Sequence, residues 1–292
     1  LNVSSADILY STDLYIQNAG IVTNAGILNI PGNFKLDSNG VMNQNAGVFY
    51  NGDLVIDNLG TFNLNTKFTL PSLIVKQGGL FSHNQGVTAC ELEVTGNVMV
   101  ESGGKIDVSG KGYSGVSGPG AGGSVSGIGG GAGAGYGGYG IACGNAVAGI
   151  PYGNITNPNQ LGSGGGNGAT NYGPGGGGSG GGLIKIIIGG NLIVNGNIQA
   201  NGASGGELYG GSDLGGHYYV GGGGGSGGSL YLIVSGELSG TGTIKANGAD
   251  SVRGAGAGGG GRIAIYYKVN NIAGAISAYG GTGASYGGPG SI

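Results

Sequence analysis

The stretch "DLYIQNAG" at residues 13–20 is followed by "NFKLDSNG" at 33–40, "DLVIDNLG" at 53–60 and "SLIVKQGG" at 72–79. Alternate residues are apolar within each copy, which is the period of a β-strand. Leu14, Phe34, Leu54, Leu73 and Leu92 then align, and two residues later so do Ile16, Leu36, Ile56, Val75 and Val94. A second strand follows the closing glycine of each copy: "IVTNAG", "VMNQNAG", "TFNLNTK" and "LFSHNQG". A third begins a little later, in "ILNIPGN", "VFYNGD", "FTLPS" and "VTACE". Three short strands and three corners in about 20 residues suit a coil stacking on its own next copy. The expectation is an all-β chain, a parallel β-solenoid of about 20 residues and three strands per coil. The aligned residues would form its continuous apolar core.

Asn and Gly at the corners supply positive φ at little cost. The polar row Asn18, Ser38, Asn58 and Gln77 offers amides that can bond along the stacking axis. The theme returns in "GGLIKIIIGGNLIVNGNIQANGA" (181–203), "GGSLYLIVSGELSGTGTIKANGA" (227–249) and "GGRIAIYYKVNNIAGAISAYGG" (260–281). Helical periodicity is absent.

Composition narrows the class. Of 292 residues 79 are glycine, 38% are hydrophobic, 8% are charged and the net charge is −3. Seven prolines without a three-residue glycine period exclude collagen. The apolar content argues against wholesale disorder. Ten basic residues spread along the chain give no electrostatic footprint for nucleic acid. No apolar run approaches the roughly 20 residues of a membrane span. Opening on Leu1, the sequence reads as a processed product or a fragment.

Residues 1–110 read as solenoid coils, 111–180 as a glycine-rich uncharged insertion, and 181–292 as a continuation with glycine-rich loops. From Gly112 through Ile184 no charged residue and no histidine occurs. The insertion nevertheless carries Tyr113, Tyr136, Tyr139, Tyr152 and Tyr172, which want partners. A loop domain packed on the flank is the favoured reading. A flexible linker, or side-by-side polyglycine helices resembling those at some phage adhesin tips, are the alternatives. Insertions at 203–227 and 249–261 would leave from equivalent corners. These tyrosines, with Tyr218 and Tyr219, form either a sticky aromatic surface or ordinary packing.

Candidate chemistry is sparse. Glycoside hydrolysis needs two carboxylates at a set separation. In the repeat register Asp13, Asn33, Asp53, Ser72 and Glu91 share one row, while Asp37 and Asp57 fall in adjacent coils with Lys76 next. That pair is a possible catalytic trace or a charge-balanced ladder. His83 and His217 begin no metal-ligand motif. "GGSGG" at 177–181 and 224–228 matches G-x-S-x-G formally, but without the strand–turn–helix setting of the hydrolase motif. Cys90 and Cys143 permit one disulfide or two free thiols. "NVS" at Asn2 and "NIT" at Asn154 are glycosylation sequons. No catalytic residue, metal or cofactor is assigned.

The runs "IVTNAGILNI", "VMNQNAGVFYNGDLVIDNLG" and "LIVKQGGLFSHNQG" resemble coils of filamentous-haemagglutinin-like and autotransporter-type adhesins. "GGGGSGGSLYLIVSGELSGTGTIKANGA" and "GGGGRIAIYY" look like repeats of glycine-rich secreted bacterial surface proteins. The first likeness covers roughly residues 8–110, the second roughly 175–285. It implies a right-handed parallel β-helix, secretion, and an adhesive or scaffold role at the cell surface. The haemagglutinin secretion domain is not visible, and "NPNQ" at 157–160 stands in the wrong context for its motif. The expected function is that of an extracellular structural or adhesive protein, a fibre subunit joining end to end with copies of itself. A discrete glycan-binding or phage-tail-like adhesin is the alternative, and a polysaccharide-degrading enzyme comes last.

Overall fold

The computed structural model describes residues 1–292 except 47–48, 171–172, 212–216 and 284. Among the described residues there is no helix, and nearly every strand pairing is parallel. The chain visits three sets of strands in rotation. Asn2–Val3, Ile21–Asn24, Val41–Gln44, Thr61–Leu64 and their successors build a nine-stranded sheet. Leu14–Ile16, Phe34–Leu36, Leu54–Ile56, Leu73–Val75 and their successors build an eight-stranded one. Between them lie a three-stranded sheet from Ile8–Tyr10 to Phe49–Asn51 and a five-stranded sheet from Lys67–Leu70 to Arg262–Tyr266.

Register follows the repeat at first. Leu14 lies over Phe34, Phe34 over Leu54 and Leu54 over Leu73, with Ile16, Leu36, Ile56 and Val75 in step beside them. Phe34, Leu36, Leu54, Ile56, Leu73 and Val75 are buried with the central cluster. The predicted ladder then needs correction. Leu73 pairs with Val98 and Val75 with Val100, not with Leu92 and Val94. Leu92 and Val94 instead lie over Phe68 and Leu70 in the five-stranded sheet. Residues 83–90 lengthen this circuit, so partners such as Ser82 and Asp107 stand 25 apart. Leu92 and Val94 still face the core, from another side. Farther on, partners are separated by 94, then 46, then 32 residues while the parallel register continues.

Corner chemistry holds with one adjustment. Asn18 and Ala19, Ser38 and Asn39, and Asn58 and Leu59 all take positive φ, as do Gly78 and Gly103. The repeat glycines beside them serve another purpose. A Cβ at Gly60 would stand 2.5 Å from the carbonyl oxygen of Leu36 on the strand below. Amide ladders also occur on a different row from the one expected. Asn24 donates to Gln44 (3.0 Å) inside the core, and Asn63 donates to Asn43 (2.9 Å) outside it.

The glycine-rich segments form an ordered layer. Gly131 and Ala134 donate to the carbonyls of Gly221 and Gly224, and Gly224 and Gly227 donate to those of Gly256 and Gly259. Gly256 and Gly259 in turn donate to Gly131 and Ala134. Each bond recurs three residues along, the period of a polyproline II helix, which makes no internal hydrogen bonds and must bond to its neighbours. Gly162 and Gly165 meet Gly181 and Gly178 antiparallel at 2.9 and 2.8 Å. None of these glycines has positive φ. What requires glycine is close approach: a Cβ at Gly223 would collide with the Ala132 carbonyl, and one at Gly133 with that of Ala257. Segments bonded side by side are what the polyglycine reading of the insertion expects, and the burial of Tyr136 is what the reading as a packed loop domain expects. Segments after residue 180 belong to it as fully as those before.

Candidate functional site

The layer is pinned to the sheets by one buried cation. Arg262 opens the last strand of the five-stranded sheet and is 6% exposed. Its Nε and Nη2 donate to the Tyr152 carbonyl at 2.9 and 2.7 Å, and Nη2 also reaches the Tyr136 carbonyl at 3.4 Å. The guanidinium lies over the Tyr136 ring, 5.4 Å from its centroid, so the charge is met by carbonyl dipoles and a π face. The Tyr136 hydroxyl pairs with Ser229 Oγ at 2.6 Å, and Ser229 donates to the Gln160 carbonyl at 2.6 Å. Tyr152 packs on Tyr136 at 4.7 Å and donates to the Leu161 carbonyl. Burial pushes both phenols above their ordinary range, only partly offset by the Ser229 and Ser163 hydroxyls.

Tyr136 and Tyr152 are thus packing residues. Tyr113 is half-buried, while Tyr139 and Tyr219 are exposed. Tyr219 faces Tyr209 across an antiparallel hairpin (rings 5.5 Å apart) and carries the Arg253 guanidinium over its ring. Tyr218 is described only through its backbone, which pairs with Gly210, and Tyr172 lies outside the described residues.

The possible bridge between Cys90 and Cys143 is not formed; both thiols are free. Cys90 is buried among core residues, which pushes its thiol up to about 12. Cys143 sits in the glycine layer, 3.1 Å from the Gly254 carbonyl. Asp37 and Asp57 do lie close, but Lys35 sits between them at 3.1 and 3.4 Å, and Lys76 bridges neither. One ammonium group thus bridges both carboxylates, and the trio keeps one net negative charge. His83 is buried, with Nδ1 2.6 Å from the Asn84 carbonyl and Nε2 accepting from the Leu183 amide at 3.3 Å. Burial lowers its pKa, and these bonds fix a neutral ring. His217 is described through its backbone alone. Both serines of the "GGSGG" matches are spent on local bonds. Ser226 Oγ accepts from the Ser163 amide at 2.9 Å, and Ser179 Oγ from Gln85 at 3.1 Å. Asn2 and Asn154 are exposed; Asn154 Oδ1 caps the Thr156 and Asn157 amides at 2.8 and 3.0 Å.

One recess was not legible in the sequence. A cleft of about 340 Å³ opens where the segment Asn157–Pro158–Asn159 overhangs the five-stranded sheet. Lys67, Glu91 and Lys185 occupy one outward row there, consecutive in register. Glu91 accepts from Lys67 at 3.0 Å and from Lys185 at 2.9 Å. Burial acts to raise its carboxyl pKa, but the two ammonium groups outweigh it and hold the pKa below its usual value. Lys185 also reaches toward the Tyr231 ring, 5.9 Å from its centroid. Glu91 and Lys185 stand 94 residues apart, so no local motif could have announced the trio.

No group of His, Cys, Asp and Glu among the described residues could hold a metal ion, and no helix among them is long and apolar enough to cross a membrane. Comparison with known proteins found no matching family model, curated protein or solved structure.

Proposed function

We propose that the four parallel sheets wind together as one right-handed parallel β-solenoid, and that the chain is an extracellular structural or adhesive protein. In this reading the solenoid is a rigid shaft, and the glycine layer with its exposed tyrosines lies along one flank. Copies join end to end into a surface fibre.

One observation carries the reading: strands of the first circuit form one edge of their sheets, and strands of the last circuit form the other. The eight-stranded sheet runs from Leu14–Ile16 to Val269–Ile272, and the nine-stranded sheet from Asn2–Val3 to Ala275–Ser277. An edge of this kind is a template for another strand, and stacking head to tail does not close. Ile8, Tyr10 and Tyr15 are exposed on the first strands of their sheets and give such a contact apolar surface. Negative-stain microscopy of the purified protein tests the reading. Fibres of uniform width that lengthen with concentration are expected; single particles at every concentration would overturn end-to-end assembly. A discrete glycan-binding adhesin is the second reading, favoured by the half-exposed Tyr209–Tyr219 pair with Arg253 beside it.

A further inference from the structure

We propose that the cleft between Lys67, Lys185 and the Asn157–Asn159 overhang binds a saccharide bearing a carboxylate, a hexuronate unit. This rests on the adhesive part of the reading above and not on end-to-end assembly. The donor set carries the assignment. Two ammonium groups point at one recess, and Glu91 ties each of them down by one bond. Lys67 Nζ remains largely open, its side chain 62% exposed. Asn157 and Asn159 are exposed on the opposite wall, and their side-chain amides have no partner among the described residues. An amide both donates and accepts, so the pair suits vicinal hydroxyls.

The acids narrow the ligand further. Glu91 lines the cleft, and Glu93 lies 3.9 Å from Lys67. These carboxylates repel a doubly charged sulfate or phosphate more strongly than a singly charged uronate, and they accept hydrogen bonds from sugar hydroxyls. A ring carrying several hydroxyls and one carboxylate uses every group present. At about 340 Å³ the cleft is at the small end of ligand sites, so it holds one or two sugar rings, not a long chain.

Titration calorimetry of the full chain with short oligogalacturonates tests this, with the neutral galactose oligomer and inorganic sulfate as parallel probes. Saturable uronate binding is expected, with the neutral oligomer at least about tenfold weaker and sulfate no better than the neutral oligomer. Lys67→Gln and, separately, Asn159→Ala should each weaken uronate binding by about tenfold; both positions are exposed, so melting temperature should not move. No saturation by roughly 10 mM uronate, sulfate binding as tightly as uronate, or two variants that bind like the parent would each overturn the assignment. Failed uronate binding by protein that still forms fibres removes the cleft assignment alone. Uronate binding by protein that never forms fibres leaves the cleft standing and removes the fibre.

Discussion

Leu59 shows how far the corners constrain single residues. Its φ is 67°, in the left-handed region, and its side chain is exposed, so nothing it packs against repays the strain. Leu59→Gly should raise stability by about 1 kcal/mol in equilibrium denaturation. The neighbouring Gly60 is the reverse case. Gly60→Ala drives a methyl into the Leu36 carbonyl and should cost roughly 2–3 kcal/mol. His83 adds a pH dependence whose sign is fixed. Burial depresses its folded-state pKa, so below about 6.5 the unfolded chain takes up the proton more readily. His83 therefore costs nothing above that pH, and stability declines as the pH falls toward the folded value. Denaturation midpoints measured across this range should decline more steeply for the parent than for His83→Gln. The corner asparagines and the repeat leucines were legible because each acts locally, through φ or through period two. The reason for Gly60 was not, because the carbonyl that demands it belongs to another circuit.

At the scale of elements, the apolar strand pattern survives every interruption, but the spacing between equivalent strands does not. The 20-residue step holds while corners are minimal and fails at Leu92, once residues 83–90 enlarge a corner. Sequence alignment by spacing alone then places Leu92 over Leu73, whereas the outward and inward alternation fits the register with Phe68 equally well. The glycine layer was less legible still. Its bonds run between segments near residues 131, 221 and 256, and a glycine N–H gives no sign of its partner. Glycines there should divide sharply by surroundings. Gly223→Ala should loosen the layer and expose 111–180 to proteolysis, whereas Gly176→Ala, with nothing within 4 Å of the added methyl, should be neutral or slightly stabilising. Arg262 joins layer to sheet through several guanidinium hydrogen bonds and a charge over the Tyr136 ring, which the shorter, uncharged glutamine cannot all replace. Arg262→Gln should cost about 3 kcal/mol and release the same segment to protease before the sheets unfold.

For the whole molecule, the proposed shaft depends on one arrangement: outward residues of the eight-stranded sheet rise in single file. Lys35, Val55, Ile74, Met99, Ile193, Ser239 and Asn271 are successive partners in that file. Adjacent strands lie about 4.8 Å apart, so distance along the file counts circuits and ignores the length of chain between them. Pulsed electron-spin resonance measures this directly. A spin label at Lys35→Cys would be paired in turn with one at Ile193→Cys, Ser239→Cys or Asn271→Cys, in a background where Cys143 is replaced by serine and Cys90 stays buried. We expect separations near 19, 24 and 29 Å, rising by about 4.8 Å at each step although 46 and then 32 residues intervene. Separations that rise unevenly, or that follow the intervening chain length, would contradict the parallel stack and with it the shaft.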